Sequence, residues 1–302
     1  MTSGSILLTG GTGFLGRHLL RKLLVETDLN ISVVSRSSVH PILDRVKYIR
    51  PERDAISSFF AENTNSVVIH LATEYGRVRN YSNEEKVKKV NVELPSLILE
   101  ESARNRPLLF INSDSYYLKG GRDRAALSSY VETKFAFRKR LIESFSHVNS
   151  VTLQFEHIYG PADSIEKFIP MVIQRALSEK MGGNLELTGC EQLRDFLYVE
   201  DAASAIIATM NNRDGIIANG RVIEVGSGLT TSLRELVDLV LTESNSRLNP
   251  IFGALPYISG ELKTSVADMR FMNSIGWASS TNLQIGLRNT IDFYREAFSQ
   301  GL

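Results

Sequence analysis

The chain opens with apolar positions at residues 5–8, passes through Gly10-Gly11-Thr12-Gly13, and then repeats Leu15, Leu19, Leu20, Leu23 and Leu24 at helical spacing. That pattern predicts a strand, a tight turn and a helix in immediate succession. Further apolar runs at 31–35, 46–49, 66–72, 108–112 and 222–226 predict more strands. The run at 66–72 is apolar almost throughout, as suits a parallel strand covered on both faces. Helical periodicity predicts helices over 84–104, from 128 onward, and over 165–178, 199–211, 233–241 and 283–298, with Ser232 as a cap. Strands alternating with helices predict an α/β fold, a Rossmann doubly wound parallel sheet. Residues 1–160 form its dinucleotide-binding domain, with strands near 151–157 and 221–226 joining the sheet. Residues 161–302 then form most of a smaller, discontinuous C-terminal lobe.

The first turn carries chemistry. Gly10 and Gly13 let the backbone turn sharply and approach a phosphate without a Cβ in the way, and Gly16 lets the helix pack closely. The helix start at Phe14 and Leu15 then faces a bound pyrophosphate with free N–H groups and the positive end of its dipole. Most such folds place an acidic residue at the end of the second strand, roughly 20 residues past the glycines, to hold a ribose 2′-hydroxyl. This chain has Ser35-Arg36-Ser37 there. A guanidinium between hydroxyls suits a 2′-phosphate, so NADP(H) is expected, with NAD(H) as the alternative. Asp54-Ala55 reads as an adenine contact or, equally, a helix cap. Leu71-Ala72-Thr73 ends the fourth strand and lies where a cofactor sits, outside the carboxyl ends of the strands. His70 reads as a buried, hydrogen-bonded residue.

Composition narrows the class without changing the reading. Of 302 residues, 43% are apolar and 23% charged, the profile of a globular protein with an ample core. Lys+Arg and Asp+Glu both total 34, so no global field draws the chain to nucleic acid or to a membrane surface. No run approaches the about 18 apolar residues of a membrane span. With no basic, apolar leader at residues 1–5, a cytoplasmic protein is expected. The single cysteine, Cys190, forms no internal disulfide and has no neighbour at metal-ligand spacing, so no metal is expected.

The strand at 108–112 runs into Ser113-Asp114-Ser115, and the next helix carries Tyr130 and Lys134. Four residues apart, these two emerge from one helix face. A phenol titrates near pH 10; an adjacent ammonium favours the phenolate, and a drop of ~3 units takes ~4 kcal/mol, within reach of a nearby lysine together with an oxidised nicotinamide. Ser113 can hydrogen-bond the same substrate oxygen. The combination fits proton transfer to or from a carbonyl or alcohol.

Together with Thr9–Gly16, His70-Leu71-Ala72, Asn91, Ile158-Tyr159-Gly160-Pro161, Lys167-Phe168-Ile169-Pro170 and Arg194-Asp195-Phe196, these residues resemble the extended short-chain dehydrogenase/reductase family across essentially the whole chain. That family holds nucleotide-sugar epimerases, dehydratases and reductases. The resemblance is greatest to its 4-ketoreductases of the CDP-abequose/CDP-paratose synthase type. It implies Ser113, Tyr130 and Lys134 as the catalytic triad, with Lys134 also on the nicotinamide ribose and Asn91 on the cofactor. It implies Asp114, Ser115, His157, Lys167, Phe168 and Arg194 around a nucleotide-sugar substrate, His157 standing where many relatives have Asn. A homodimer is implied as well. The dehydratases carry Thr-Asp-Glu where this chain has Ser113-Asp114-Ser115, so the base for eliminating water is missing. The expected reaction is NADPH-dependent reduction at C4 of a nucleotide-linked 4-keto-(di)deoxyhexose. An NAD-dependent 4-epimerase and a non-catalytic NADP-binding protein are the alternatives.

Overall fold

The computed structural model describes residues 4–75, 84–120, 128–144, 146–178, 182–213, 220–257 and 260–300. In chain order the first elements are β1 (Ser5–Thr9), α1 (Phe14–Glu26), β2 (Asn30–Val34), β3 (Val46–Ile49), α2 (Arg53–Glu62) and β4 (Ser66–His70). Next come α3 (Glu84–Lys88), a π-helical turn (Lys89–Glu93), α4 (Leu94–Asn105), β5 (Leu109–Ser115), α5 (Ser128–Glu143) and β6 (Ser150–Phe155). Then follow β7 (His157–Tyr159), α6 (Phe168–Ser178), β8 (Asn184–Leu187), β9 (Leu193–Arg194), β10 (Phe196–Tyr198) and α7 (Val199–Asn211). The remainder is β11 (Arg221–Val225), β12 (Thr231–Ser232), α8 (Leu233–Ser244), β13 (Asn249–Phe252), β14 (Thr264–Ser265), α9 (Arg270–Ser274) and α10 (Leu283–Ser299).

Seven strands form one sheet in the order β11-β6-β5-β4-β1-β2-β3, parallel in the pairings from β3 across to β5. This is the doubly wound fold that the strand–helix alternation predicts. The order reverses between β1 and β4, and a ligand crevice opens outside the carboxyl ends of strands at such a switch point. Leu7, Val68 and Phe110, on three neighbouring strands, pack against Ile56 and Phe59 of α2, Ile98 and Leu99 of α4, and Phe137 and Leu141 of α5. Each such side chain contributes about 1.5–3 kcal/mol on burial.

The chain divides into two compact units, Met1–Gln154 with Ala203–Glu224, and Phe155–Ala202 with Val225–Leu302. Within the second, α6, α8 and α10 pack on one another beside three small sheets, β10-β7, β12-β9-β14 and β13-β8. Ser232 caps α8 with a reciprocal box to Glu235. Among the described residues no helix is long and apolar enough to cross a membrane.

Three local expectations differ from the structure. The helix expected over 84–104 is interrupted by the π-helical turn, which carries Asn91. Pro95 has no N–H for the Asn91 carbonyl, and the Leu94 N–H reaches back to the Lys89 carbonyl instead. Asp54 is not a cap; α2 starts from Glu52, and Asp54 lies exposed in its first turn. α6 begins at Phe168 rather than at residue 165.

Candidate active site

The turn between β1 and α1 is three glycines and one exposed threonine, Thr12. Gly10 has φ 71°, and a Cβ there would lie 2.6 Å from the Ala72 nitrogen. At Gly16 a Cβ would lie 2.0 Å from the Gly10 carbonyl oxygen. Gly13 occupies the N-cap of α1, and no side chain caps that end. The N-terminus of α1, with Phe14 and Leu15 in its first turn, therefore presents N–H groups beside a turn of three glycines and the exposed Thr12. That cradle fits a dinucleotide pyrophosphate.

Thr9 ties this turn to the end of β4. Its Oγ1 accepts the Ala72 N–H at 3.1 Å and shares a hydrogen bond of 2.7 Å with His70 Nδ1. His70 is fully buried, and burial, reinforced by the charge of Lys134, holds its proton affinity well below that of an ordinary imidazole. Neutral and edge-on to Phe137, it is the structural residue the sequence suggests.

At the β2 exit, Ser35 Oγ accepts the Ser37 N–H at 3.2 Å, and Arg36 and Ser37 are exposed. Arg50, at the end of β3, donates to the Arg36 carbonyl at 2.5 Å. The exit thus carries two arginines, of which sequence reading picks out only Arg36. Asn91 is 1% exposed. It accepts from the Glu74 N–H and donates to the Glu74 carbonyl, both at 2.8 Å, and donates to Thr133 Oγ1 at 3.2 Å. In this structure it braces the segment after Leu71-Ala72-Thr73 against α5.

Ser113, Tyr130 and Lys134 are gathered at the end of β5, each hydrogen-bonded to a protein group. Ser113 Oγ donates to the His70 carbonyl at 3.0 Å, Lys134 Nζ donates to the Ser113 carbonyl at 2.7 Å, and the Tyr130 hydroxyl donates to Ser115 Oγ at 3.2 Å. Ser113 and Ser115 share one face of the strand, as period-two alternation requires. The Tyr130 ring stacks on Tyr75 with centroids 4.8 Å apart and meets Tyr117 edge-on at 6.3 Å. Tyr75 and Tyr117 carry no motif, and sequence reading misses both.

The electrostatics around Tyr130 differ from those of an isolated Tyr–Lys pair. Burial, then the neighbouring Tyr75 and Asp114, push the Tyr130 phenol well above its ordinary value; the Ser115 hydrogen bond opposes them only in part. Lys134 is itself buried, and burial pulls its ammonium below the usual lysine range. In this state, then, Tyr130 keeps its proton. Asp114, expected against the substrate, points the other way: its side chain has no exposed surface and pairs with Arg138 at 2.7 Å.

In the second unit, His157 lies on β7 with its ring 5.3 Å from Phe196. Lys167 immediately precedes α6, whose first residue is Phe168, and pairs with the buried Asp163 at 2.7 Å. Arg194 is buried and pairs with Glu261 at 3.1 Å, while Gln192 donates to the same carboxylate at 2.8 Å. Both expected diphosphate ligands thus carry carboxylate partners, which sequence reading did not identify.

A doubly wound sheet, a bare helix N-terminus at its switch point, and a buried Tyr–Lys pair beside it define an oxidoreductase-type enzyme built on a dinucleotide fold. The chain belongs to the NAD dependent epimerase/dehydratase family, whose model matches residues 6–226. It is 29% identical to a CDP-abequose synthase of Salmonella muenchen, over 95% of this chain and 96% of that one. It is 26% identical to a dTDP-glucose 4,6-dehydratase of Mycolicibacterium smegmatis, over 96% and 93%. Among solved structures, the UDP-glucose 4-epimerase of Thermotoga maritima with UDP-glucose superposes with a TM-score of 0.81 at 21% identity, covering 97% of this chain and 99% of that one. MoeE5 in complex with UDP-glucose and NAD gives 0.81 at 24%, covering 98% and 100%.

Proposed function

We propose that this enzyme reduces C4 of a nucleotide-linked 4-keto-(di)deoxyhexose with NADPH. The observation that carries the reading is the end of β5. Eliminating water from such a sugar takes a carboxylate base where this chain has Ser115, and the one carboxylate of that strand end, Asp114, is turned inward onto Arg138. What faces the other way is two hydroxyls and a phenol that keeps its proton. That set suits delivery of a proton to a carbonyl oxygen. The 29% and 27% identities to two CDP-abequose synthases support the same reading. The arginines at the β2 exit favour a 2′-phosphate, hence NADPH over NADH.

The dinucleotide, when bound along Gly10, Gly13 and the start of α1, supplies the hydride. Ser113 and Ser115 hydrogen-bond the C4 oxygen and stabilise the negative charge that grows on it. Tyr130 transfers its hydroxyl proton to that oxygen. Lys134, one turn along α5, is the cation that stabilises the phenolate left behind. In the second unit Lys167 and Arg194 exchange their carboxylate partners for the substrate diphosphate, with Phe168 and His157 beside them.

The test is absorbance loss of NADPH or NADH with CDP-, dTDP-, UDP- and GDP-linked 4-keto-6-deoxyhexoses. Stoichiometric NADPH oxidation with one of them is expected, and Tyr130→Phe should lower kcat by about 10²–10⁴-fold. Purified protein that carries tightly bound NAD and oxidises nothing would move the assignment to a 4-epimerase.

A further inference from the structure

The stripe of α5 that carries Tyr130 and Lys134 continues one turn further to Arg138. The Arg138 guanidinium grips Asp114 through one oxygen: Nε and Nη2 both donate to Oδ2, at 3.0 and 2.7 Å. Nη2 also donates to Gln154 Oε1 at 3.0 Å. The other carboxylate oxygen, Oδ1, is buried, accepts no hydrogen bond, and lies 3.4 Å from Lys134 Nζ. Lys134 is itself 2% exposed, and its ammonium donates to the Ser113 carbonyl. A buried carboxylate and a buried ammonium therefore lie together, with the partly exposed Arg138 guanidinium on the carboxylate's other side.

Such an arrangement is costly, and a merely filled core would use apolar side chains instead. Its geometry has one outlet. Asp114 lies on the face of β5 opposite Ser113 and Ser115, so it cannot touch what those hydroxyls touch. Its free oxygen, Oδ1, lies within ion-pair distance of Lys134. Among the described residues, the charged and titratable groups that act on that ammonium are Asp114 on β5, Arg138 on α5 and the neutral His70 on β4, with Tyr130 one turn back on the same helix. Of these, Asp114 is the negative one.

We propose that Asp114, oriented by Arg138 and Gln154, is a positioning residue for Lys134, supplying the counter-charge that holds its ammonium at the end of β5. The two anchors act in opposite senses. Asp114 favours the charged lysine, whereas Arg138, a second cation, disfavours it while holding the carboxylate in place. This inference rests on reading Lys134 as part of the reaction machinery, but it is tested on Lys134 directly.

Protein labelled with [ε-¹³C]lysine reports the titration of each lysine, and Lys134→Met identifies the resonance concerned. Asp114→Asn should lower the Lys134 midpoint by about one pH unit or more, because it removes an opposite charge within ion-pair distance. Arg138→Gln should raise it, and the double variant should fall between the two but below wild type, because Asp114 acts on Lys134 more strongly than Arg138 does. A folded Asp114→Asn protein with an unchanged midpoint, or shifts of the same sign in both single variants, overturns the proposal. Should the single variants fail to fold, the neutralised double variant decides: a midpoint below wild type supports the inference, and one equal or higher refutes it. The alkaline limb of ketosugar-dependent NADPH oxidation should follow the same order. If no ketosugar is turned over, the functional reading falls while the ¹³C titration still judges this one.

Discussion

Thr9→Val removes one hydroxyl at the junction of β1 and β4 while nearly preserving shape. Thr9 is fully buried, and its Oγ1 serves both the Ala72 N–H at 3.1 Å and His70 Nδ1 at 2.7 Å. Valine leaves both of those groups without that partner, the His70 ring fully buried and Ala72 half-buried. An orphaned buried group costs roughly 1–3 kcal/mol and a half-buried one less, so the variant should lose about 1–4 kcal/mol of stability. The functional consequence is separate. The Ala72 N–H fixes the β4 exit over Gly10, where an added Cβ would already lie 2.6 Å from the Ala72 nitrogen, so that edge of the dinucleotide cradle has little room to shift. Urea denaturation at neutral pH, with m unchanged, measures the first effect. Titration of intrinsic fluorescence with NADPH measures the second, for which a loss of about tenfold or more is expected, equivalent to about 1.4 kcal/mol. A stability loss below about 0.5 kcal/mol would refute the argument, since it would mean that the hydroxyl satisfies nothing the fold depends on.

Two further predictions concern the same region. Gly16→Ala places a methyl group 2.0 Å from the Gly10 carbonyl oxygen and 2.7 Å from the Gly11 Cα, both backbone atoms. The helix start must retreat from the turn, at about 1–3 kcal/mol, seen as a lower Tm and weaker dinucleotide binding. A variant that binds as wild type would show that α1 does not rely on this close approach. His70 supplies a pH dependence. Its folded proton affinity lies well below the ordinary value of 6.5, so the unfolded chain binds a proton that the folded chain does not. Stability is therefore full above pH 6.5 and declines as pH falls below it, by up to about 2 kcal/mol between pH 7 and pH 5. In His70→Asn that part of the decline should vanish from urea midpoints measured across the range; an unchanged slope would refute it.

What the sequence makes legible, and what it hides, follows from range. The turn from β1 into α1 is local: Gly10, Gly13 and Gly16 and the leucine periodicity specify it without help from elsewhere. Arg138 is legible in principle, four residues beyond Lys134 as Lys134 is four beyond Tyr130, but a helix arginine is more often a solvated charge. Its partner was legible too, since strand alternation puts Asp114 on the face opposite Ser113 and Ser115. Tyr75 is different. Its stack on Tyr130 depends on how the chain leaves β4, and nothing in the residues around it encodes that path. Arg194 and Glu261 likewise meet only because β9 and β14 become neighbours. Charge on an isolated arginine reads as an invitation to phosphate, and only the fold reveals the carboxylate already paired with it.

The protonation of Tyr130 bears on the direction of the reaction. Reading Tyr130 and Lys134 as an isolated helix pair predicts an easily formed phenolate, the species that would take a proton from an alcohol. In the folded chain, burial acts on the two groups in opposite senses: it favours the neutral phenol and disfavours the charged lysine. Asp114 supports the lysine charge and, by the same negative charge, raises the phenol further. A free enzyme arranged in this way starts from the acid form, the form a reduction consumes in its proton-transfer step. Reversal would require Tyr130 to lose its proton before reaction, against both burial and the Asp114 charge. An epimerase must run the step in both directions within one turnover. On our reading of Tyr130 as the acid, the buried phenol holds the proton that the proposed reduction consumes, beside the inward-turned carboxylate of β5.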